Sequence, residues 1–238
     1  GGFVIRSISG QYVNNYIFIE GDQDLHDFEL IESFLFHYGL AFDQFIAKNL
    51  HVESQRKLLD AYRGVIERHF KKPLNHINLV TDCIRGLSQK LGFSDMEGDL
   101  LAQAASLHDV GMLRLPEHLM LRSTPLTDEE YTLVKQHSDW GYEMLSQDRD
   151  ELFILAAEIA KGHHENYDGT GYPSGLSGGQ IPQSARMMAI VDVYVSMISD
   201  KVYGMGKTKE EAIAYLTEQS GKRFDPIIVD AFLSYIRA

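Results

Sequence analysis

The sequence is poor in features of an oxidising or membrane environment. Its 238 residues contain one cysteine, Cys83, which excludes an intramolecular disulfide and a cysteine-rich zinc site. A single cysteine is typical of a reducing compartment, so we expect a cytoplasmic protein. No apolar run approaches the roughly 18 residues that a membrane span needs, and the first residues lack the basic-then-apolar order of a signal peptide. The sequence therefore predicts no membrane segment.

Basic residues are also scarce. The chain has 22 Lys and Arg against 34 Asp and Glu, which gives a formal net charge of -12 at pH 7. Binding to a nucleic acid polymer relies on broad basic surface, so we expect none here. A small phosphate substrate remains compatible with this charge, because metal ions and a few local cations can hold a phosphodiester.

The hydrophobic pattern changes along the chain. Residues 3–20 alternate and are rich in β-branched and aromatic residues, which predicts two strands. Residues 24–70 show three- and four-residue apolar spacing, which predicts a long connecting helix, and about seven further helices follow. Thr127-x-x-Glu130, Thr208-x-x-Glu211 and Asp225-Pro226 indicate helix starts. We expect a mainly α fold: a helical bundle preceded by a short α+β fragment.

The fragment and the bundle are predicted to be separate domains, residues 1–64 and 65–238. Two strands do not form a stable sheet alone, so residues 1–64 are interpreted as the C-terminal part of a larger sensory domain plus a linker helix. The order of strands and long helix resembles the end of a GAF-like sensor. The long helix predicts a homodimer contact and an upstream sensor or receiver domain.

Two motifs carry the chemistry. The first is Leu107-His108-Asp109-Val110-Gly111, at the end of an apolar helical pattern. The second is His163-His164-Glu165-x-x-Asp168-Gly169-x-Gly171-Tyr172-Pro173. Adjacent histidines diverge on a regular helix, so both reach one metal only where the helix ends and the chain turns. The glycines of the second motif supply that turn.

Several candidate ligands share a helix face with apolar residues, as His76, His108, His137 and Asp192 do, and therefore point inward. A buried carboxylate is costly unless it is paired or coordinates a metal. The candidates exceed what one tetrahedral ion needs, which predicts two ions joined by a bridging carboxylate. They are His76, His108, Asp109, His137, His163, His164 and Asp192.

The two motifs together resemble the HD-GYP family, a branch of the HD-domain phosphohydrolases that cleaves cyclic di-GMP. The resemblance implies an HD-type bundle over residues 65–238 and two divalent ions. Imidazole mixed with carboxylate suits iron, manganese or zinc, and of these we expect iron or manganese. It assigns His76, His108, Asp109 and Asp192 to one ion, and Asp109, His137, His163 and His164 to the other. The implied reaction is hydrolysis of cyclic di-GMP to pGpG, and in some members to GMP, with Asp109 and His108 in catalytic positions. Substrate contacts are implied for Asp168, Gly171, Tyr172, Pro173 and Lys201.

Some positions depart from the family pattern. Met112 replaces the lysine that usually follows the His-Asp pair, which removes a cation near the phosphate. Lys72 replaces the glutamate of members with a third metal, so we expect two ions.

The alternative to an enzyme is a degenerate receptor that binds a cyclic dinucleotide or a partner protein with little turnover. A hybrid cyclic GMP-AMP is an alternative substrate. Glu165 is either a partner that orients a ligand histidine or a solvated side chain.

Overall fold

The computed structural model describes residues 3–9, 14–20, 37–38, 40–50, 53–54, 57, 64, 75–120, 124–147, 149–199 and 206–237. The chain forms two compact units, Gly1–Asp60 and Ala61–Ala238. Within the described residues, no helix combines the length and apolar composition needed to cross a bilayer.

The N-terminal unit contains the predicted strands. Strand β1 (Phe3–Ser9) pairs antiparallel with β2 (Asn14–Glu20), in a register that sets Phe3 opposite Glu20 and Ser9 opposite Asn14. Residues 40–50 form helix α1. The rest of the predicted helix over 24–70 lies largely outside the described residues. The GAF-like assignment and the boundary at residue 64 stay predictions.

The second unit is helical, and the prediction of a mainly α fold is confirmed. Its elements are α2 (His76–Lys90), α3 (Asp95–Ala105), a 3-10 helix (Val110–Arg114), α4 (Glu117–Met120), α5 (Asp128–Lys135), α6 (His137–Leu145), α7 (Glu151–Gly162), a 3-10 helix (Gly178–Gln180), α8 (Gln183–Ile198), α9 (Lys209–Glu218) and α10 (Pro226–Ile236). The described part of this unit has nine α-helices rather than about seven. The count is higher because α4 is one turn long and Gln136 separates α5 from α6.

Helix starts follow the capping signals in the sequence. The side chains of Thr127 and Thr208 each accept a hydrogen bond from the backbone amide three residues later. The glutamate at that later position accepts a hydrogen bond from the amide of the capping threonine. These reciprocal pairs satisfy amides that the first turn of a helix leaves unpaired. Asp225 caps α10 ahead of Pro226, and its buried carboxylate also accepts a hydrogen bond from Arg186 on α8. The cap therefore also connects α10 to α8.

The core lies around α7 and α8. Helix α8 packs against α2, α7, α9 and α10, and α7 packs against α3, α6 and α8. Met187, Met188, Ile190 and Val191 on α8 are almost fully buried, which makes α8 the most enclosed of these helices. Burial of such side chains contributes roughly 1.5–3 kcal/mol each. This packing brings the ends of α3 and α7, the starts of α2 and α6, and the middle of α8 to one region.

Candidate metal centre

The His-Asp pair lies in the turn after α3. This helix ends at Ala105, residues 106–109 form a turn, and the 3-10 helix begins at Val110. The His108 ring is buried and its Nδ1 lies 2.9 Å from the carbonyl oxygen of Ala105. The Asp109 side chain is 15% exposed and faces the same interior as His108.

The two adjacent histidines lie where α7 ends, as their pattern predicts. Helix α7 stops at Gly162, and His163 is its C-cap residue. Because the backbone turns there, the rings of His163 and His164 lie together, with centroids 4.0 Å apart. The amide of His163 still donates to the carbonyl of Ile159, so the last helical turn holds its position.

The remaining candidate ligands come from three other helices. His76 and His137 are the first residues of α2 and α6, and Asp192 lies within α8. Six of the candidates form two groups, within each of which the potential ligand atoms lie within 4.8 Å of one another. One group is His76, His108 and Asp192, and the other is His137, His163 and His164.

Asp109 lies between the two groups. Its Oδ2 is 3.2 Å from Nε2 of His108, in the first group. Its Oδ1 is 3.6 Å from Nε2 of His137 and 3.7 Å from Nε2 of His163, in the second group. Each carboxylate oxygen therefore faces one group, which is the arrangement that a bridging ligand requires.

The protonation pattern of the rings fits a metal site. Nδ1 lies within hydrogen-bond distance of a backbone carbonyl in His108 (2.9 Å), His137 (2.7 Å) and His163 (3.0 Å). A carbonyl only accepts, so Nδ1 carries the proton and, in the neutral ring, Nε2 keeps its lone pair. Nε2 of His137 and His163 lie 3.4 Å apart. Because the two Nε2 lone pairs are so near each other, both can bind the same cation.

Burial favours the neutral form of two of these imidazoles, His137 and His164. It lowers the pKa of His137, an effect that Asp109 partly opposes. Burial and the neighbouring His163 and His137 rings lower the pKa of His164 well below its usual value. A neutral imidazole is the form that binds a metal, so the donor set of five imidazoles and two carboxylates fits two transition-metal ions.

Glu165 anchors the loop that follows the histidines. Its carboxylate is buried, with Oε1 accepting from the amide of Ser174 at 2.7 Å and Oε2 from the amide of Leu176 at 3.1 Å. The side chain is therefore not solvated, and these bonds go to loop amides rather than to a ligand histidine. Neither of the two roles predicted for Glu165 from the sequence matches these contacts.

We expect Glu165→Gln to loosen this loop. The amide group of glutamine would meet one backbone N–H with a donor, which leaves a part-buried N–H unpaired at a cost of up to about 1–3 kcal/mol. Hydrogen exchange followed by mass spectrometry should show faster exchange in peptides that contain Ser174 and Leu176. Glu158→Gln, at an exposed position on α7, is the matched control. Unchanged exchange in Glu165→Gln would refute the anchoring role.

Glycines in this loop serve two different purposes. Gly169 has φ 84°, in the left-handed region that the turn prediction required. Gly171 is instead needed for close approach, because a Cβ there would lie 2.2 Å from the amide nitrogen of Asn166 and 2.5 Å from the carbonyl oxygen of His164.

The exposed Asp168 accepts hydrogen bonds from the hydroxyl and amide of Thr170, which lowers the pKa of the Asp168 carboxyl. The Tyr172–Pro173 bond is cis.

A cavity of about 550 Å³ opens beside Asp109. Of the predicted site residues, those that line it are Asp109, His137, His164, Gly171, Tyr172 and Asp192. Asp168 and Pro173 do not line it, and Lys201 lies outside the described residues. The Tyr172 ring stacks on His164 with centroids 4.8 Å apart, and burial raises the pKa of its hydroxyl. Met112 also lines this cavity.

Several residues that line this cavity were not predicted from the sequence, among them Tyr131, Lys135 and Arg223. Lys135 is two residues before His137, which is the one local signal that could have suggested it. Arg223 lies in the turn between α9 and α10, next to the loop because its carbonyl accepts a hydrogen bond from the amide of Tyr167. No pattern near Arg223 in the sequence connects it to the histidines.

Comparison with known proteins agrees with this geometry. The family model described as HD domain matches residues 52–228. The chain is 41% identical over 147 residues to the cyclic di-GMP phosphodiesterase response regulator RpfG of Xanthomonas campestris, covering 62% of this chain and 39% of that protein. It is 29% identical over 228 residues to the 3'3'-cGAMP-specific phosphodiesterase 2 of Vibrio cholerae, covering 94% of this chain and 43% of that protein.

A solved structure has the same fold. The HDG"Y"P protein Bd1817 of Bdellovibrio bacteriovorus superposes with a TM-score of 0.58 at 23% identity, covering 79% of this chain and 65% of that one. The chain spans about two-fifths of the length of the curated relatives it matches. The matched family model and the two motifs show that the chain belongs to the HD domain family, in its HD-GYP branch.

Proposed function

We propose that this chain is the hydrolase module of a bacterial signalling protein and that it cleaves the phosphodiester of cyclic di-GMP. Two divalent ions, iron or manganese, are its cofactors in this proposal. The observation that carries the proposal is the position of Asp109, with one carboxylate oxygen toward each histidine group.

The residues that would hold the ions are those proposed from the sequence. His76, His108 and Asp192 would bind one ion and His137, His163 and His164 the other, with Asp109 shared between them. When bound, such a pair supplies an activated water and neutralises charge that develops on the phosphate. The chain orients the ligands through the Nδ1–carbonyl contacts, which also keep each Nε2 free of a proton.

The cavity walls define what can approach these ligands. Tyr172 keeps its hydroxyl proton because burial raises its pKa, so the hydroxyl is a donor in the cavity. The Tyr172 ring stacks on His164 and forms an aromatic part of the cavity lining beside the proposed metal ligands. A cavity of about 550 Å³ falls in the usual size range of small-ligand sites and suits a compact substrate rather than a polymer.

Relatives support a cyclic dinucleotide as substrate. Proteins named cyclic di-GMP phosphodiesterases from Xanthomonas and Thermotoga are 41% and 37% identical to the matched region. Relatives named 3'3'-cGAMP-specific are 29% identical or less. This difference favours cyclic di-GMP over the hybrid dinucleotide. Because all predicted ligands are present and grouped, nothing here favours the degenerate receptor.

The decisive experiment is hydrolysis of cyclic di-GMP by protein loaded anaerobically with iron(II) or manganese(II). Chromatography would separate pGpG from GMP, and metal analysis would give the ions per chain. We expect turnover with about two ions per chain, and slower turnover of 3'3'-cGAMP. Two ions without turnover of either dinucleotide would contradict the enzyme and leave a receptor.

The remaining assignments concern the N-terminal region. We propose that residues 1–64 end a sensory domain and that further upstream sequence carries a sensor or receiver. We also propose that the long helix predicted over residues 24–70 pairs with its copy in a homodimer. Apolar side chains on α1 support the last point, since Leu40, Phe45 and Leu50 are each half exposed or more. Light scattering of the chain at micromolar concentration should give the mass of a dimer, and a monomer would contradict this pairing.

A further inference from the structure

The cavity beside the histidines is also lined by two cations and by two tyrosines, Tyr131 and Tyr172. Among the described residues that line the cavity, Lys135 and Arg223 are the only cations. The Lys135 ammonium lies 4.7 Å from the ring centroid of Tyr131 and 5.3 Å from that of Tyr172. The Arg223 guanidinium lies 5.5 Å from the Phe224 ring and donates to the hydroxyl of Tyr215 at 3.4 Å.

These two cations differ in their contacts from Lys161, a lysine outside the cavity that also lies over a tyrosine ring. Lys161 lies 4.6 Å from the centroid of Tyr142, but it is also 3.9 Å from a carboxylate oxygen of Asp139. The described contacts of Lys135 and Arg223 are with aromatic rings and a hydroxyl rather than with carboxylates. Neither cation forms a salt bridge with a carboxylate of the described residues, so both charges are suited to an anionic ligand in the cavity that they line.

The position of Lys135 shows which part of a ligand it can contact. The Lys135 ammonium lies 5.3 Å from the centroid of the Tyr172 ring, and the same ring stacks on His164 with centroids 4.8 Å apart. Tyr172 therefore connects Lys135 to the ligand groups, of which Lys135 is not itself a member. A cyclic dinucleotide has two phosphodiesters on opposite sides of its ring, so the second lies further along the cavity wall when the first is at the ligands.

We propose that Lys135 and Arg223 form a second phosphate subsite, which holds the phosphodiester of the cyclic dinucleotide that is not being cleaved. The inference rests on the proposed function for the identity of the substrate. The subsite also supplies positive charge to the cavity that Met112 lines in place of the usual lysine. Tyr131 and Tyr172 flank the ammonium and keep it directed into the cavity.

The test compares two substrates. Cyclic di-GMP has a second phosphodiester, whereas bis(p-nitrophenyl) phosphate has only the one that is cleaved. In the metal-loaded protein, Lys135→Gln and Arg223→Gln should each lower kcat/KM for cyclic di-GMP by about 10- to 100-fold, mainly through KM, since a hydrogen bond to a charged group has that effect. Hydrolysis of bis(p-nitrophenyl) phosphate should stay at the wild-type rate. Lys135→Arg, which keeps the charge, should recover most of the loss.

Matched controls and a binding measurement complete the test. Lys161→Gln removes a lysine over a tyrosine outside the cavity, and Arg237→Gln removes an exposed arginine, so both should behave as wild type on both substrates. Calorimetry with a slowly hydrolysed phosphorothioate analogue of cyclic di-GMP should show the same 10- to 100-fold loss of affinity in the two cavity variants, at about the wild-type metal content.

The outcomes are distinguishable. Equal loss on both substrates would place the cations at the cleaved phosphate, and no loss on either would remove them from the substrate; both results overturn the subsite. If the wild-type protein hydrolyses neither substrate but binds the analogue through Lys135 and Arg223, the subsite stands and the phosphodiesterase proposal fails.

Discussion

Replacing Asp109 by alanine is expected to abolish hydrolysis and to reduce the metal content from about two ions per chain to less than one. Both histidine groups depend on this carboxylate, with Oδ2 at 3.2 Å from His108 and Oδ1 at 3.6 Å from His137. Its removal leaves each group with three ligands and no shared anion. Loss of metal assistance amounts to several kcal/mol of barrier, so the rate should fall by at least about 1,000-fold.

Two further variants separate charge from shape. Asp109→Asn keeps the volume of the side chain and loses its negative charge, so it should fold as the wild type does and still lose metal. Asp230→Ala removes an exposed aspartate of α10 and should change neither metal content nor rate. Metal analysis and cyclic di-GMP turnover on the three proteins check this. If Asp109→Ala or Asp109→Asn still hydrolysed cyclic di-GMP, the proposed bridging role of Asp109 would be contradicted.

The second large effect is expected from Gly111→Ala. A Cβ at Gly111 would lie 2.0 Å from the carbonyl oxygen of His137 and 2.5 Å from the amide nitrogen of Gly141. Both are backbone atoms of α6, so the 3-10 helix and α6 must move apart. Overpacking of this kind costs typically 1–3 kcal/mol and sometimes more, and we expect about 3 kcal/mol here. The melting temperature should fall by roughly 6–12 °C for a domain of this size.

This substitution should also disturb the metal centre. Gly111 is two residues from Asp109 in the sequence, and the backbone that it would strike belongs to His137, which lies on the other side of the site. Separation of these segments lengthens the Asp109–His137 contact. The folded fraction of Gly111→Ala should therefore hold less metal than the wild type, as metal analysis of the purified protein would show.

Gly98→Ala is the control for this second prediction. On α3, a Cβ at Gly98 would meet Ser88 Cβ at 3.4 Å, an ordinary van der Waals distance. Alanine is favoured over glycine inside a helix by roughly 0.5–1 kcal/mol, so this variant should melt slightly higher than the wild type. Thermal unfolding followed by circular dichroism compares the two. A stable, metal-replete Gly111→Ala would show that the 3-10 helix and α6 can separate at little cost.

Local features of the structure followed from local signals in the sequence. The capping pairs at Thr127 and Thr208 set helix starts because the hydrogen bonds involved span three residues. The adjacent His163 and His164 required a helix end, and α7 ends at Gly162. The inward direction of His76 and His108 followed from apolar spacing, and both are buried. Each of these inferences needed information from only one or two turns of chain.

Other features depend on segments far apart in the sequence. Glu165 was assigned to a histidine or to solvent, but its oxygens bind amides nine and eleven residues later. Gly171 was predicted to supply the turn after the histidines, whereas the structure requires glycine there because Asn166 and His164 approach closely. Neither the folding back of a loop nor the space left beside a residue is encoded in helical periodicity.

The sequence by itself determined the mainly α class, the family and the identity of the seven candidate ligands, because ligand type and helical register are local properties of a chain. Only the tertiary structure decided how close the ligands of the two groups lie to Asp109 and to one another, and that Lys135 and Arg223 share a cavity with Tyr172. Those arrangements arise from how α3, α5, α6, α7 and α8 and the turn before α10 come together. Distances between residues on different helices are set by packing of the whole core rather than by any one segment.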